Sequence, residues 1–225
     1  ASVLGSSLVL KGWGEHMNRT RFIALVSVIA VAALQTAAAS PLTPGATVLT
    51  PGSIPSSGTL VQDVWMPFAS GTFSGRVRVQ VVKVGLTYDF IYRIENTSTQ
   101  GQEINRLTAT GFAGVTTSVD SVTEAGTAPR PHFATRSAGT GDTIGFTFAA
   151  APVGAGIVAP GQTSKAMYIS TNATAYAAVG TLSIIDGNTA NITGAFAPVP
   201  EPATMALAGL ALATAARRRK RATAG

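Results

Sequence analysis

The chain is 225 residues long, carries a formal net charge of +6, contains no cysteine, and has only 12% charged residues. Without cysteine it has no disulfides, no thiol nucleophiles and no cysteine-ligated metal sites. The excess positive charge lies in the two ends: between 40 and 200, Arg76, Arg78, Lys83, Arg93, Arg106, Arg130, Arg136 and Lys165 are matched one for one by Asp63, Asp89, Glu95, Glu103, Asp120, Glu124, Asp142 and Asp186, which argues against nucleic acid as a partner.

Residues 1–16 precede Met17 and lie ahead of a good charged n-region, so they are expected to be an over-extended start. Arg19 and Arg21 then lead into an uninterrupted apolar or small stretch from Phe22 to Leu34, followed by Gln35-Thr36-Ala37-Ala38-Ala39. A charged n-region, a short apolar core and an Ala-x-Ala site make residues 17–39 a secretory signal peptide, with Ala37 and Ala39 framing cleavage before Ser40. The stretch is shorter than the roughly 20 apolar residues of a spanning helix.

Residues 40–58, with Pro41, Pro44, Pro51 and Pro55, are expected to form an extended lead-in. From 59 to 197 the pattern has period two and no sustained helical period. Strands are expected at 59–66, at 76–81, where Val77, Val79 and Val81 alternate with Arg76, Arg78 and Gln80, and after Gly85. There Leu86, Tyr88, Phe90, Tyr92 and Ile94 share one face. Asn96 to Gly101 reads as a turn. Further strands are expected at 103–110, 112–122, 143–149, 165–171, 178–185 and 189–196. Asp186-Gly187-Asn188 is a hairpin turn, and 125–141 is the longest irregular stretch. These short, turn-separated strands predict an all-β domain, an antiparallel β-sandwich of Greek-key or Ig-like type. A closed barrel is the alternative.

The body offers little catalytic chemistry. Its one histidine, His132, lies in a loop, and no Gly-x-Ser-x-Gly elbow accompanies it. One histidine without cysteine does not build a zinc site. The carboxylates are scattered singly, with none marked out as an acid/base pair. Gly139-Thr140-Gly141-Asp142-Thr143-Ile144-Gly145 precedes a strand rather than a helix, which removes the context of a phosphate loop. Asp186 and Asn188 are too few oxygens for calcium. Trp65, Tyr88, Tyr92, Tyr168 and Tyr176 would make a sugar-stacking platform if several were exposed. The alternation of Tyr88 and Tyr92 favours a core role. The Asn-x-Ser/Thr sequons at Asn96, Asn172 and Asn191 are expected to be incidental. The chain is therefore expected to be no enzyme and to need no cofactor or metal.

At the C-terminal end, Pro198-Val199-Pro200-Glu201-Pro202 breaks any regular element. The apolar or small run Ala203 to Ala216 follows, and Arg217, Arg218, Arg219, Lys220 and Arg221 close it. As a helix the run would cover roughly 21 Å against about 30 Å of hydrocarbon, so it would insert marginally, its arginines snorkelling to the interface. The basic cluster belongs on the cytoplasmic side by the positive-inside rule, leaving the body outside. Residues 222–225 form a short tail.

Val199-Pro200-Glu201-Pro202, the apolar run with Leu207, Gly209, Leu210 and Leu212, and the terminal basic cluster resemble the PEP-CTERM sorting signal over residues 198–221. The resemblance implies a substrate of an exosortase, a multi-span membrane protease of Gram-negative bacteria that make exopolysaccharide. It would recognise Pro200-Glu201-Pro202 and cut in or just after them. Tyr88–Asn96, Gly111-Phe112, Pro160-Gly161-Gln162-Thr163-Ser164 and Ser183-Ile184-Ile185-Asp186-Gly187 also resemble the β-rich ectodomains found ahead of such signals, which supply no catalytic residues to carry over.

The expectation is a β-sandwich flanked by an N-terminal signal-peptide helix and a short C-terminal transmembrane helix. Its function would be that of an exported protein held transiently in the inner membrane, then released to the cell surface or matrix as a structural or adhesive component, with exopolysaccharide as partner. The alternative is an exported carbohydrate-binding module or carbohydrate-active hydrolase, the latter marked by two carboxylates roughly 5–10 Å apart in one cleft.

Overall fold

The computed structural model describes residues 39–50, 52, 57–99, 102–122, 126–148 and 156–199, and every regular element among them is a β-strand. In chain order these are β1 (Ser40–Pro41), β2 (Thr47–Leu49), β3 (Thr59–Ala69), β4 (Ser74–Val84), β5 (Thr87–Asn96), β6 (Arg106–Ala109), β7 (Thr117–Ser121), β8 (Phe133–Arg136), β9 (Ile144–Thr147), β10 (Met167–Thr171), β11 (Tyr176–Asp186) and β12 (Asn188–Pro198). They form two six-stranded sheets, ordered β1-β7-β10-β5-β4-β3 and β12-β11-β6-β9-β8-β2. All pairings are antiparallel. The expected signal-peptide helix and C-terminal helix lie outside the described residues.

Period-two alternation builds the shared core. Val77, Val79 and Val81 of β4 face inward with Phe90, Tyr92 and Ile94 of β5 and with Met167 and Ile169 of β10. Leu107, Ile144, Phe146, Leu182 and Ile184 meet them from the second sheet in one buried cluster. Each such side chain contributes about 1.5–3 kcal/mol on burial. The Phe90 ring stands edge-on to Phe112 at 5.6 Å, the offset geometry aromatic pairs prefer. Among the described residues no ladder joins the sheets, so the closed-barrel alternative is not what these strands form.

Two differences from the sequence reading concern short strands. The stretch read as a lead-in supplies β1 to the first sheet and β2 to the second, crossing between them through Leu42–Ala46. Leu42 N donates to Thr117 O (2.9 Å) and Arg136 N to Ala46 O (3.0 Å), so both halves of the crossing are fastened. The stretch read as irregular contains β8, paired with β2 and β9. In addition Leu86 lies in the β4–β5 turn, 82% exposed, rather than on the inner face of β5. Gly187 reverses the chain between paired Asp186 and Asn188 with φ +65, a conformation that favours glycine.

Of the four edge strands, β3 and β12 approach one another. Gln62 Nε2 donates to the Tyr176 hydroxyl (3.2 Å) and Asn188 Nδ2 to Thr72 Oγ1 (3.2 Å). The β4–β5 turn, the β10–β11 loop and the last residue of β12 gather at one end of the body. There Val84 pairs with Thr87 and Tyr176 with Pro198, and Tyr88 N donates to Ala173 O (3.0 Å). The β3–β4 and β11–β12 turns lie at the opposite end.

Candidate functional site

The expected processing motif meets the folded body at its last strand. Pro198 pairs with Tyr176 and Ala197 with Ala177 across β12 and β11, and Val199 N donates to Ala175 O (3.0 Å). The Tyr176 ring packs edge-on against Phe196 (5.7 Å) and Tyr88 (4.8 Å). Ala195 and Ala197 are buried in the core. Of Val199, Pro200, Glu201 and Pro202, only Val199 lies within the described residues, and it is already part of the sheet's hydrogen bonding. Arg217, Arg218, Arg219, Lys220 and Arg221 fall outside the described residues, as does Ala37. At the other processing point Ala39 is half-buried and Ser40 is paired with Val119 in β1. In the sequence, the expected signal-peptide cut falls at the first residue of β1, and the expected exosortase motif follows β12 directly. No helix among the described residues is long and apolar enough to cross a membrane.

A hollow of about 630 Å³ opens at the end where β12 finishes, lined by Leu42, Pro44, Thr87, Val115, Thr140 and Asn172 among others. No carboxylate lines it. Its one charged lining residue, Arg136, is buried and spends its guanidinium internally. Nε donates to Gly141 O (2.7 Å), Nη1 to Leu42 O (3.1 Å) and Thr117 Oγ1 (3.0 Å), and Nη2 to Phe112 O (2.7 Å) and Val115 O (2.9 Å). An arginine has five N–H donors, and all are used. Burial pulls its pKa below the ordinary guanidinium value, partly offset by Asp142. Arg136 is thus a clamp on four loop carbonyls with no donor left for a ligand. The glycine-rich loop serves it: a Cβ on Gly141, whose φ is +66, would sit 2.6 Å from Arg136 Nε.

The other candidates are dispersed. His132 is half-buried beside Phe133 (rings 5.8 Å apart). It borders a separate 190 Å³ hollow with Leu49, Thr50, Arg130 and Pro131, which also lacks a carboxylate. Asp89 is buried, accepting from the Tyr168 hydroxyl and from Thr171 N (3.3 Å). Asp120 is buried too. Its Oδ1 accepts from Gly52 N (2.8 Å) and Ser121 N (2.7 Å), and its Oδ2 has no partner among the described residues. Asp186 accepts from Asn105 Nδ2 (2.5 Å). No cluster of three or more metal-ligating side chains occurs among the described residues. Of the aromatics, Tyr92 is fully buried, and burial pushes its phenol pKa well up. Tyr168 is buried, while Tyr88 and Tyr176 pack against the core. Trp65 alone is exposed, at 41%, with the Arg76 guanidinium 4.4 Å from its ring centroid. Asn96 is buried and donates through Nδ2 to Gln102 O and Val158 O (both 2.9 Å), so its sequon is structural.

The comparison that decides the reading falls on the tail. Residues 198–220 match the model of the PEP-CTERM protein-sorting motif. No curated protein and no solved structure matches the chain. The match agrees with the resemblance carried by Val199-Pro200-Glu201-Pro202, the apolar run and the basic cluster. PEP-CTERM marks an exported protein that is anchored in the membrane before an exosortase processes it. The Arg136 clamp escaped sequence reasoning, because a charged residue between glycines and prolines reads as surface loop.

Proposed function

We propose that this chain is a non-enzymatic surface or matrix component of a Gram-negative cell. It is exported on residues 17–39, parked in the inner membrane by 203–216, and freed by an exosortase at Pro200-Glu201-Pro202. Once free, its Greek-key β-sandwich acts as a structural or adhesive module alongside exopolysaccharide. The observation that carries this reading is the sorting-motif match at residues 198–220. The body supports it: the larger hollow has no carboxylate, its arginine is internally saturated, and the described acids other than exposed Glu103 are buried, ion-paired or hydrogen-bonded within the fold. A hydrolase would need two carboxylates opening on one cleft, and a sugar platform would need more exposed rings than Trp65.

The test is the mass of the mature protein in exosortase-containing cells. The expected product begins at Ser40 and ends within or just after Pro200-Glu201-Pro202, and it disappears when the exosortase is deleted. A full-length product in cells with an active exosortase would overturn the processing step. Unchanged surface retention in cells unable to make exopolysaccharide would remove that partner.

A further inference from the structure

We infer that, before it is cut, the body rests its tail-bearing end directly on the lipid surface, with the β4–β5 turn as the contacting tip. The inference builds on the membrane-anchoring reading above. Its first support is chain length. The sheet's hydrogen bonding runs through Val199, and the apolar run begins at Ala203. Only Pro200, Glu201 and Pro202 intervene, so the four steps from Val199 to Ala203 reach at most about 14 Å when fully extended. The headgroup layer on each side of a bilayer takes about 5–8 Å of that distance. At most about 6–9 Å remains, less than the roughly 10 Å between packed sheets, so the tail-bearing end is held against the headgroups.

The second support is what that end presents. Ala175, which accepts from Val199 N, belongs to the β10–β11 loop, and Tyr176 beside it packs its ring 4.8 Å from Tyr88 of β5. The β4–β5 turn thus lies next to the exit point. At its tip Leu86 is 82% exposed, the most exposed of the large apolar side chains among the described residues. Leu60, near the start of β3, is 50% exposed, and exposed Lys83 stands opposite Thr59. An exposed leucine beside a lysine suits an interface of acyl chains under anionic headgroups. The acids of the opposite end, Glu95, Glu103 and Asp186, face away. Asp142, on the near side, is half-buried and accepts from Gly111 N (3.1 Å).

The absence of native cysteine makes the test direct. Full-length chains carrying one introduced cysteine, Leu86→Cys, Asn188→Cys or Leu212→Cys, are labelled with a fluorophore. They are then reconstituted into phosphatidylethanolamine/phosphatidylglycerol vesicles that contain headgroup-spin-labelled lipid. The expected result is strong quenching at 212 and at 86, several-fold weaker quenching at 188, and loss of the signal at 86 alone when a long Gly-Ser spacer follows Val199. Quenching at 212 without quenching at 86, or equal quenching at 86 and 188, overturns the contact while leaving anchoring intact. No quenching at 212 overturns anchoring itself, and the contact with it. Leu86 is exposed in a turn, so its replacement leaves the core untouched.

Discussion

Arg136 places a cation in the interior with only carbonyl and hydroxyl oxygens hydrogen-bonded to it. It ties the crossing at Leu42 to the Phe112–Val115 loop and to Gly141. Removing it strands those carbonyls, and a buried acceptor left without a donor costs about 1–3 kcal/mol. Arg136→Met should lower the urea midpoint by a corresponding amount, and a loss below 1 kcal/mol would show that water replaces the clamp. Exposed Asp63 behaves differently. Hydrogen bonds from Arg78 (2.8 and 2.6 Å) hold its carboxyl below the ordinary value of 3.8. A carboxyl whose folded pKa is depressed stabilises the fold above its unfolded value, and that stabilisation disappears as pH falls through the folded value. Thermal midpoints of the wild type should therefore drop more steeply than those of Asp63→Asn as pH falls from about 5 to 2. Parallel curves would assign the pair no role in stability, as for many exposed ion pairs.

The elements were legible where side chains follow their own alternation. β4 and β5 stand out because Val77, Val79, Val81, Phe90, Tyr92 and Ile94 all point inward and are fully buried. β8 was not legible, because its two inward residues are Ala134 and Arg136, and a charge at an inward position reads as outward. β1 and β2 were hidden by their length, two and three residues, within a proline-rich stretch. The end of β12 was legible as a strand over 189–196 directly ahead of the sorting signal, but the strand runs on to Pro198, which pairs with Tyr176, because a proline reads as a strand breaker. A chain ending at Val199 should unfold cooperatively. One ending at Gly194 loses buried Ala195 and Ala197 and the Tyr176–Phe196 contact. Its denaturant midpoint should fall sharply, and equal midpoints would make the strand's last turn of pairing dispensable. Gly75→Ala in β4 should also destabilise, by about 1–3 kcal/mol, because the new methyl meets the Glu95 carbonyl and the Phe68 ring. Calorimetry would register this as a lowered Tm.

For the whole molecule, the excess positive charge lies in the two ends and the body is neutral. Replacing Arg217, Arg218, Arg219, Lys220 and Arg221 with glutamine would remove the cytoplasmic lock proposed above, so fractionation should find less protein in the inner membrane and less trimmed product. Undiminished membrane recovery would show that the apolar run suffices alone. The fastening of Val199 to Ala175 also sets a timetable. On the proposed export route β12 is the last of the described strands to cross the membrane, and it carries core residues, so the sandwich closes only as the apolar run behind it arrives. Until that moment the exported segment lacks its final strand and leaves the edge of β11 open. Completion of the fold and arrest in the bilayer thus fall within the same few residues of translocation, and a chain released too early would emerge with an unpaired β11 edge.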